Sequence, residues 1–257
     1  MTVASSPKIF RAVVSEKVFN QLNEEPQSAL PEDVGHRFKR VLRLQPGALV
    51  ELLDGSGRVF SGELSYRGDE VCLVNATWAT QALDVPPLFL AQALIRPNKL
   101  EPLIQKATEM GVTRIILWAA ERSEARWYPE SVSKKRARLE KIALEATRQS
   151  QRITCPVIEG PYDRRTFHEV LAKTPKSWFV GHPAAENWVS DILRGVTEDE
   201  KDPLGVVIGP EGGLSDAELI EFKDLGIQEV RLSPHTLRTE TAAFPFLCAV
   251  QWLRGRL

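Results

Sequence analysis

The second half of the chain predicts an α/β domain with a mainly parallel sheet covered by helices on both faces, and residues 8–84 predict a compact, mostly β module ahead of it. Three observations carry this. Short apolar runs alternate with helix-period repeats beyond residue 87, the first third is rich in strand-like Val, Leu and aromatic segments, and Pro86-Pro87 interrupts any regular element between the two. A chain of 257 residues also suits two domains, set here at 1–85 and 86–257.

In the first module, residues 8–14, 49–53, 58–66 and 71–78 read as strands. Asp54-Gly55-Ser56-Gly57 is a hairpin turn between the second and third. One helix, over 34–44, places Val34, Phe38, Val41 and Leu42 on one stripe, with His36, Arg37, Lys39, Arg40 and Arg43 over the rest. In the second domain, 88–95 is an apolar run of buried-strand length. Leu100, Leu103, Ile104, Ala107 and Met110 then repeat at helical spacing until Gly111 ends the helix. Further strands are expected at 112–118, 178–181, 204–208 and 229–232, and helices at 134–149, 163–173, 215–225 and 239–254.

With 43% hydrophobic and 26% charged residues, the composition is that of a folded globular protein and excludes disorder as the dominant state. The longest nearly apolar stretch, 242–253, falls short of the roughly 20 residues a bilayer helix needs, so no membrane span is expected. The first ten residues lack the basic start and apolar block of a secretory signal, which favours the cytoplasm. Cys72, Cys155 and Cys248 are odd in number and far apart, and the four histidines form no local cluster; neither staples nor a structural metal are expected. Net charge is −1, so any nucleic-acid surface must be a local patch. Two stretches qualify. One is the 34–44 helix, whose basic residues lack interleaved acids. The other runs through Lys134, Lys135, Arg136, Arg138, Lys141, Arg148 and Arg152 against only Glu140 and Glu145.

The densest chemical signal is Gly209-Pro210-Glu211-Gly212-Gly213-Leu214-Ser215, where an apolar strand runs into a glycine-rich turn and then a helix opened by a Ser215/Glu218 capping box. Glycines there permit positive φ and close approach of backbone to a ligand, at the kind of junction where open α/β sheets bind nucleotides. A purely structural tight turn is the competing reading. The spacing matches neither G-x-G-x-x-G nor G-x-x-x-x-G-K-[ST], which disfavours ordinary dinucleotide or triphosphate sites. A second polar loop, residues 232–242, follows the last strand; its Arg238 and Glu240 could simply pair with each other.

Together, Gly209 to Ser215 and Leu237-Arg238-Thr239-Glu240-Thr241-Ala242 resemble the RsmE family of SPOUT methyltransferases, which methylate N3 of a uridine in small-subunit (16S) ribosomal RNA. The resemblance extends over nearly the whole chain. It takes in His36, Val41-Leu42-Arg43-Leu44, Gly47, the 54–57 turn, Lys106 to Val112, Arg122-Ser123, Glu145-Ala146, Gln149-Ser150 and Arg152. It implies a PUA-like RNA-binding β-barrel followed by a SPOUT domain with a trefoil knot, in place of the unknotted sheet that general topology rules favour. It further implies a homodimer and S-adenosylmethionine as cofactor, held by three loops that map to Gly181 and His182, to Gly209, Pro210, Glu211, Gly212, Gly213 and Leu214, and to Leu232, Leu237 and Arg238. For a base whose N3 must lose a proton, Arg238 is the candidate cation and Glu240 the candidate proton acceptor. Arg11, His36, Arg37, Arg40, Arg43 and Arg152 are the candidate RNA contacts, and no metal is required. The sequence departs from the family pattern at Ser233, where glycine is common, at His235, and at Met110. Two other readings fit the same residues: a noncatalytic RNA-binding or ribosome-assembly factor, and a SPOUT methyltransferase acting on another RNA.

Overall fold

The computed structural model describes residues 9–80, 86–174, 177–194 and 202–255. The expected strand start at Lys8, the N-terminal segment before it and the boundary at residue 85 lie outside them. The chain divides into two compact units, one of residues 1–84 with 147–155, the other of residues 85–146 with 156–257.

The first unit carries a four-stranded sheet in sequence order, built from β1 (Phe10–Val13), β2 (Leu49–Leu53), β3 (Arg58–Arg67) and β4 (Glu70–Thr80). β1 lies parallel to β2 and the remaining pairs are antiparallel, with the 54–57 turn joining β2 to β3 as expected. Thr154 bridges to Gly55 and Ser56, which is why the 147–155 segment belongs to this unit. Phe19, Leu22, Phe38, Leu52, Phe60, Leu64 and Leu73 fill its core.

Two features of this unit differ from expectation. A helix, α1 (Glu16–Glu24), occupies a stretch with no helical assignment; Ser15 caps it and Phe19 and Leu22 are its buried face. The expected 34–44 helix is instead α2 (Glu32–His36) running into a π-helical turn at Arg37–Val41. The Leu42 N–H donates to the Arg37 carbonyl, five residues back. That wider turn breaks the 3.6-residue stripe, so Val34 and Phe38 are buried while Val41 is 65% exposed.

In the second unit all six strands are parallel, in the order β10-β8-β9-β5-β6-β7. They are β5 (Leu88–Ala93), β6 (Arg114–Trp118), β7 (Val157–Tyr162), β8 (Ser177–Gly181), β9 (Leu204–Ile208) and β10 (Gln228–Val230). The helices are α3 (Pro97–Glu109), α4 (Pro129–Gln149), α5 (Arg164–Lys173), α6 (Val189–Leu193), α7 (Asp216–Asp224) and α8 (Thr239–Leu253). Every residue of β5 and β9 is buried, as strands covered on both faces must be. On one face Trp118 stacks on Phe167 of α5 and meets Phe222 of α7 edge-on; on the other Phe179 packs against Phe246 of α8. β7 and the short α6 were not expected. β7 contains Gly160-Pro161, which reads as a turn but is tolerated in an edge strand.

Because all six strands run the same way, the loops after β8, β9 and β10 leave from one edge of the sheet. Among the described residues no helix is long and apolar enough to cross a membrane.

Arg114 on β6 forms a two-pronged ion pair with Glu159 on β7, at 2.7 and 2.8 Å. Hydrogen bonding to Arg114 holds the Glu159 carboxyl below its ordinary value of 4.5, against the opposing effect of burial. A carboxyl lowered in the folded state stabilises fully above its unfolded value and loses that contribution as the pH falls through the folded one. Urea midpoints for wild type and E159Q should therefore differ at pH 7 and converge on acidification below about 4.5. A gap independent of pH would show that the pair does not link β6 to β7 through charge.

Candidate active site

The three loops enclose a cavity of about 560 Å³, within the usual size range for small-ligand sites. Gly181 and His182 contribute from the end of β8, Gly209, Pro210, Glu211, Gly213 and Leu214 from the end of β9, and Leu232, Ser233 and His235 to Thr239 from the segment that opens α8, whereas Gly212 of the expected cofactor set does not line it. Ile208, Leu214, Leu232, Leu237 and Ala242 give it apolar walls, and Lys99, Arg122, His182, His235 and Arg238 are its basic groups.

The glycine-rich turn is shaped by two different demands. Gly213 has φ +72°, which favours glycine. Gly209 and Gly212 instead allow close packing: a Cβ at Gly209 would lie 2.9 Å from Leu214 Cγ, and one at Gly212 would lie 3.0 Å from the Arg122 carbonyl oxygen. The close approach expected toward a ligand is thus made, at these two positions, toward the protein itself. Arg122 Nη1 also donates to the Leu214 carbonyl at 3.1 Å, pinning the turn from below. The expected capping box is present, with Ser215 Oγ accepting from the Glu218 N–H and Glu218 from the Ser215 N–H. Fully buried Glu218 also accepts from the Glu121 N–H at 2.8 Å, a bond across the fold that no local pattern could reveal.

The second loop is joined to the first by a buried polar bridge. Thr239 Oγ1 donates to the Gly209 carbonyl at 2.6 Å and accepts from Gln92 Nε2 at 3.1 Å; the same amide reaches Gly209 O at 3.4 Å and Ala93 O at 3.1 Å. Gln92, fully buried at the end of β5, was not singled out from the sequence, although a glutamine inside the apolar run at 88–95 was the available signal.

Arg238 stands at the N-cap of α8, is exposed, lines the cavity and has no ion-pair or hydrogen-bond partner for its side chain among the described residues. Glu240 does not pair with it. Its Oε2 lies 3.7 Å from Lys99 Nζ, and it is absent from the cavity lining, so the possible Arg238–Glu240 pair is replaced by a Lys99–Glu240 pair. The carboxylate of Glu211 accepts from the Arg96 N–H at 3.4 Å and lies 3.4 Å from Lys99 Nζ. His182 Nδ1 sits 2.9 Å from Glu229 Oε2. Ser233 is not in the positive-φ region, so the substitution for glycine strains nothing there; its Oγ accepts from the His235 N–H.

The remaining candidates lie in the first unit. His36, Arg40 and Arg43 are exposed and Arg37 half-buried, and none has a side-chain partner among the described residues. Lys39 is bound to Asp69. Arg11 is held by Glu51 at 2.7 Å, and Arg152 lies beyond the end of α4, where burial pushes its guanidinium down to about 10. The second basic stretch is partly neutralised: Arg138 pairs with Glu101 and Arg136 with Glu140.

If the Thr239 bridge fixes the two loops, T239V should lower the unfolding free energy in urea by about 1–3 kcal/mol, since it leaves Gln92 and Gly209 without their shared partner. T239S, which keeps the hydroxyl, should recover most of that loss. Equal stability of T239V and wild type would contradict the bridge.

Residues 83–251 match the family of the RNA methyltransferase domain. The chain is 33% identical over 231 residues to ribosomal RNA small subunit methyltransferase E of Mycobacterium bovis, covering 87% of this chain and 86% of that protein. It is 28% identical over 243 residues to the protein of that name from Bacillus subtilis, covering 91% and 95%. The crystal structure of ribosomal RNA small subunit methyltransferase E from Neisseria gonorrhoeae bound to S-adenosyl methionine is similar in fold, with TM-score 0.69, 24% identity, and 96% and 98% of the two chains covered. With the cavity ringed by the loops that carry the glycine-rich and Arg238 segments, these matches place the chain in the RsmE family of RNA methyltransferases.

Proposed function

We propose that this protein transfers a methyl group from S-adenosylmethionine to N3 of a uridine in small-subunit ribosomal RNA, acting as a cytoplasmic homodimer. The observation that carries the reading is the cavity at the ends of the parallel strands, with apolar walls, a backbone-rich rim at Gly209, Pro210 and Gly213, and the Arg238 guanidinium, unpaired among the described residues. Relatives named ribosomal RNA small subunit methyltransferase E support methyl transfer to small-subunit ribosomal RNA.

The residues present fit the cofactor. Ile208, Leu214, Leu232 and Leu237 offer apolar surface to an adenine ring. Glu211 lines the cavity with one carboxylate oxygen lacking a hydrogen-bond partner among the described residues, an acceptor available to a ligand hydroxyl or ammonium. When bound, S-adenosylmethionine supplies a methyl carbon on a sulfonium, open to in-line displacement without metal or covalent enzyme intermediate.

The work left to the protein is positioning and charge. Loss of the N3 proton puts negative charge on the flanking uracil carbonyl oxygens, and Arg238, unpaired and facing the cavity, is placed to stabilise it more in the transition state than before. Glu240, turned to Lys99, supports the site, and the N3 proton passes to solvent water as the N3–methyl bond forms and the methyl–sulfur bond breaks. Residues 1–85, joined by the 147–155 segment, would act as the RNA-binding domain and the rest of 86–257 as the transferase domain. Arg37, Arg40 and Arg43, unpaired among the described residues, carry charge for phosphates, and the target base must be single-stranded or flipped.

R238A should lower single-turnover methylation at saturating RNA about 10²–10³-fold, while S-adenosylmethionine affinity by calorimetry stays within about threefold of wild type. An unchanged rate would remove Arg238 from the reaction. RNA affinity should fall steeply with added salt, and R40A/R43A should flatten the log–log slope by about two; a salt-independent affinity would refute the patch. Mass spectrometry of ribosomal RNA from cells lacking the protein should show one unmethylated uridine N3, and a fully methylated RNA would overturn the assignment.

A further inference from the structure

Lys99 occupies the third position of α3, whose N-cap is Arg96 and whose first turn contains no acid. A lysine there opposes the helix dipole, which favours negative charge at an N-terminus. The conflict is resolved by two carboxylates from elsewhere in the chain. Glu211 approaches Lys99 Nζ to 3.4 Å from the glycine-rich turn, and Glu240 approaches it to 3.7 Å from the first turn of α8. All three side chains are about three-quarters buried or more. Glu211 also accepts from the Arg96 N–H, so its charge sits on the N-terminus of α3. Lys99 is the one ammonium or guanidinium within 4 Å of either carboxylate among the described residues.

We infer that Lys99 is a positioning residue that ties the glycine-rich turn to the Arg238 segment through Glu211 and Glu240, and so sets where cofactor and reacting base meet. This rests on the methyl-transfer reading. The two carboxylates approach one nitrogen from the glycine-rich turn and from the first turn of α8, and without its charge they would repel each other in a largely buried setting. Glu211 lies inside the turn that would hold the cofactor, and Glu240 lies two residues beyond Arg238. One ammonium therefore fixes both halves of the site, and Lys99 itself lines the cavity between them.

The test compares wild type with K99M, K99R, E211Q and K99M/E211Q in the full chain, by calorimetric titration with S-adenosylmethionine and by single-turnover methylation at saturating cofactor and RNA. K99M and E211Q should each weaken cofactor binding about tenfold. The double variant should be no weaker than K99M, because the two substitutions remove one shared interaction. K99M should also lower the single-turnover rate at saturation, which a pure cofactor-affinity defect would not, and K99R should restore most of both. E211Q probes the same contact with Lys99 in place, should K99M fold poorly. Wild-type affinity and rate in K99M, or multiplicative losses in the double variant, would overturn the role of Lys99 while leaving the methyl-transfer reading intact. A wild-type chain that binds no S-adenosylmethionine would overturn that reading and this inference with it.

Discussion

A threonine hydroxyl donating to a glycine carbonyl at the wall of the cavity joins the two loops on which the site depends. The 2.6 Å bond from Thr239 to Gly209, backed by the buried Gln92 amide, fixes the start of α8 against the end of β9. Gly209 continues into the glycine-rich turn, Thr239 follows Arg238, and the cavity between them is defined by the two segments and the end of β8. Gln92 donates from inside the core to the Thr239 hydroxyl, which ties loop geometry to core packing, while its own Oε1 has no hydrogen-bond partner among the described residues.

The parallel sheet supplies the rest of the frame. Residues of β5 and β9 are buried on both faces, and their neighbours β8 and β6 extend the same register without reversal. Loops leaving one edge can then be long and polar while the scaffold remains rigid. Underneath the turn, Arg122 and Glu218 grip the backbone from β6's following loop and from α7, so the glycines serve packing as much as conformational freedom.

Much of this was legible in the sequence because it is local. The β9 strand is continuous Leu204–Ile208, the capping box is a four-residue pattern, and Gly111 closes α3 with φ +89° as a C-terminal glycine should. The 54–57 hairpin likewise follows from turn chemistry alone. What escaped is non-local or atypical. β7 hides behind a Gly-Pro pair, the π-helical turn at Arg37–Val41 defeats a 3.6-residue stripe, and α1 is a short helix with only Phe19 and Leu22 buried. In the site, the glycine-rich and Arg238 segments were visible as motifs, whereas Gln92 and Lys99 gain meaning only from partners more than a hundred residues away. Charge reading overstated the basic stretch through α4, since Arg138 finds Glu101 across the fold.

The central claim is that the cavity bounded by residues 181–182, 209–214 and 232–239 receives S-adenosylmethionine. A crystal structure of the chain grown with that compound tests it most directly. The account requires the ligand in this cavity, its adenosine against the 209–213 backbone and its methyl group turned toward the side lined by Arg238. Density elsewhere, or loops closed on their own side chains with the cavity filled, would contradict it.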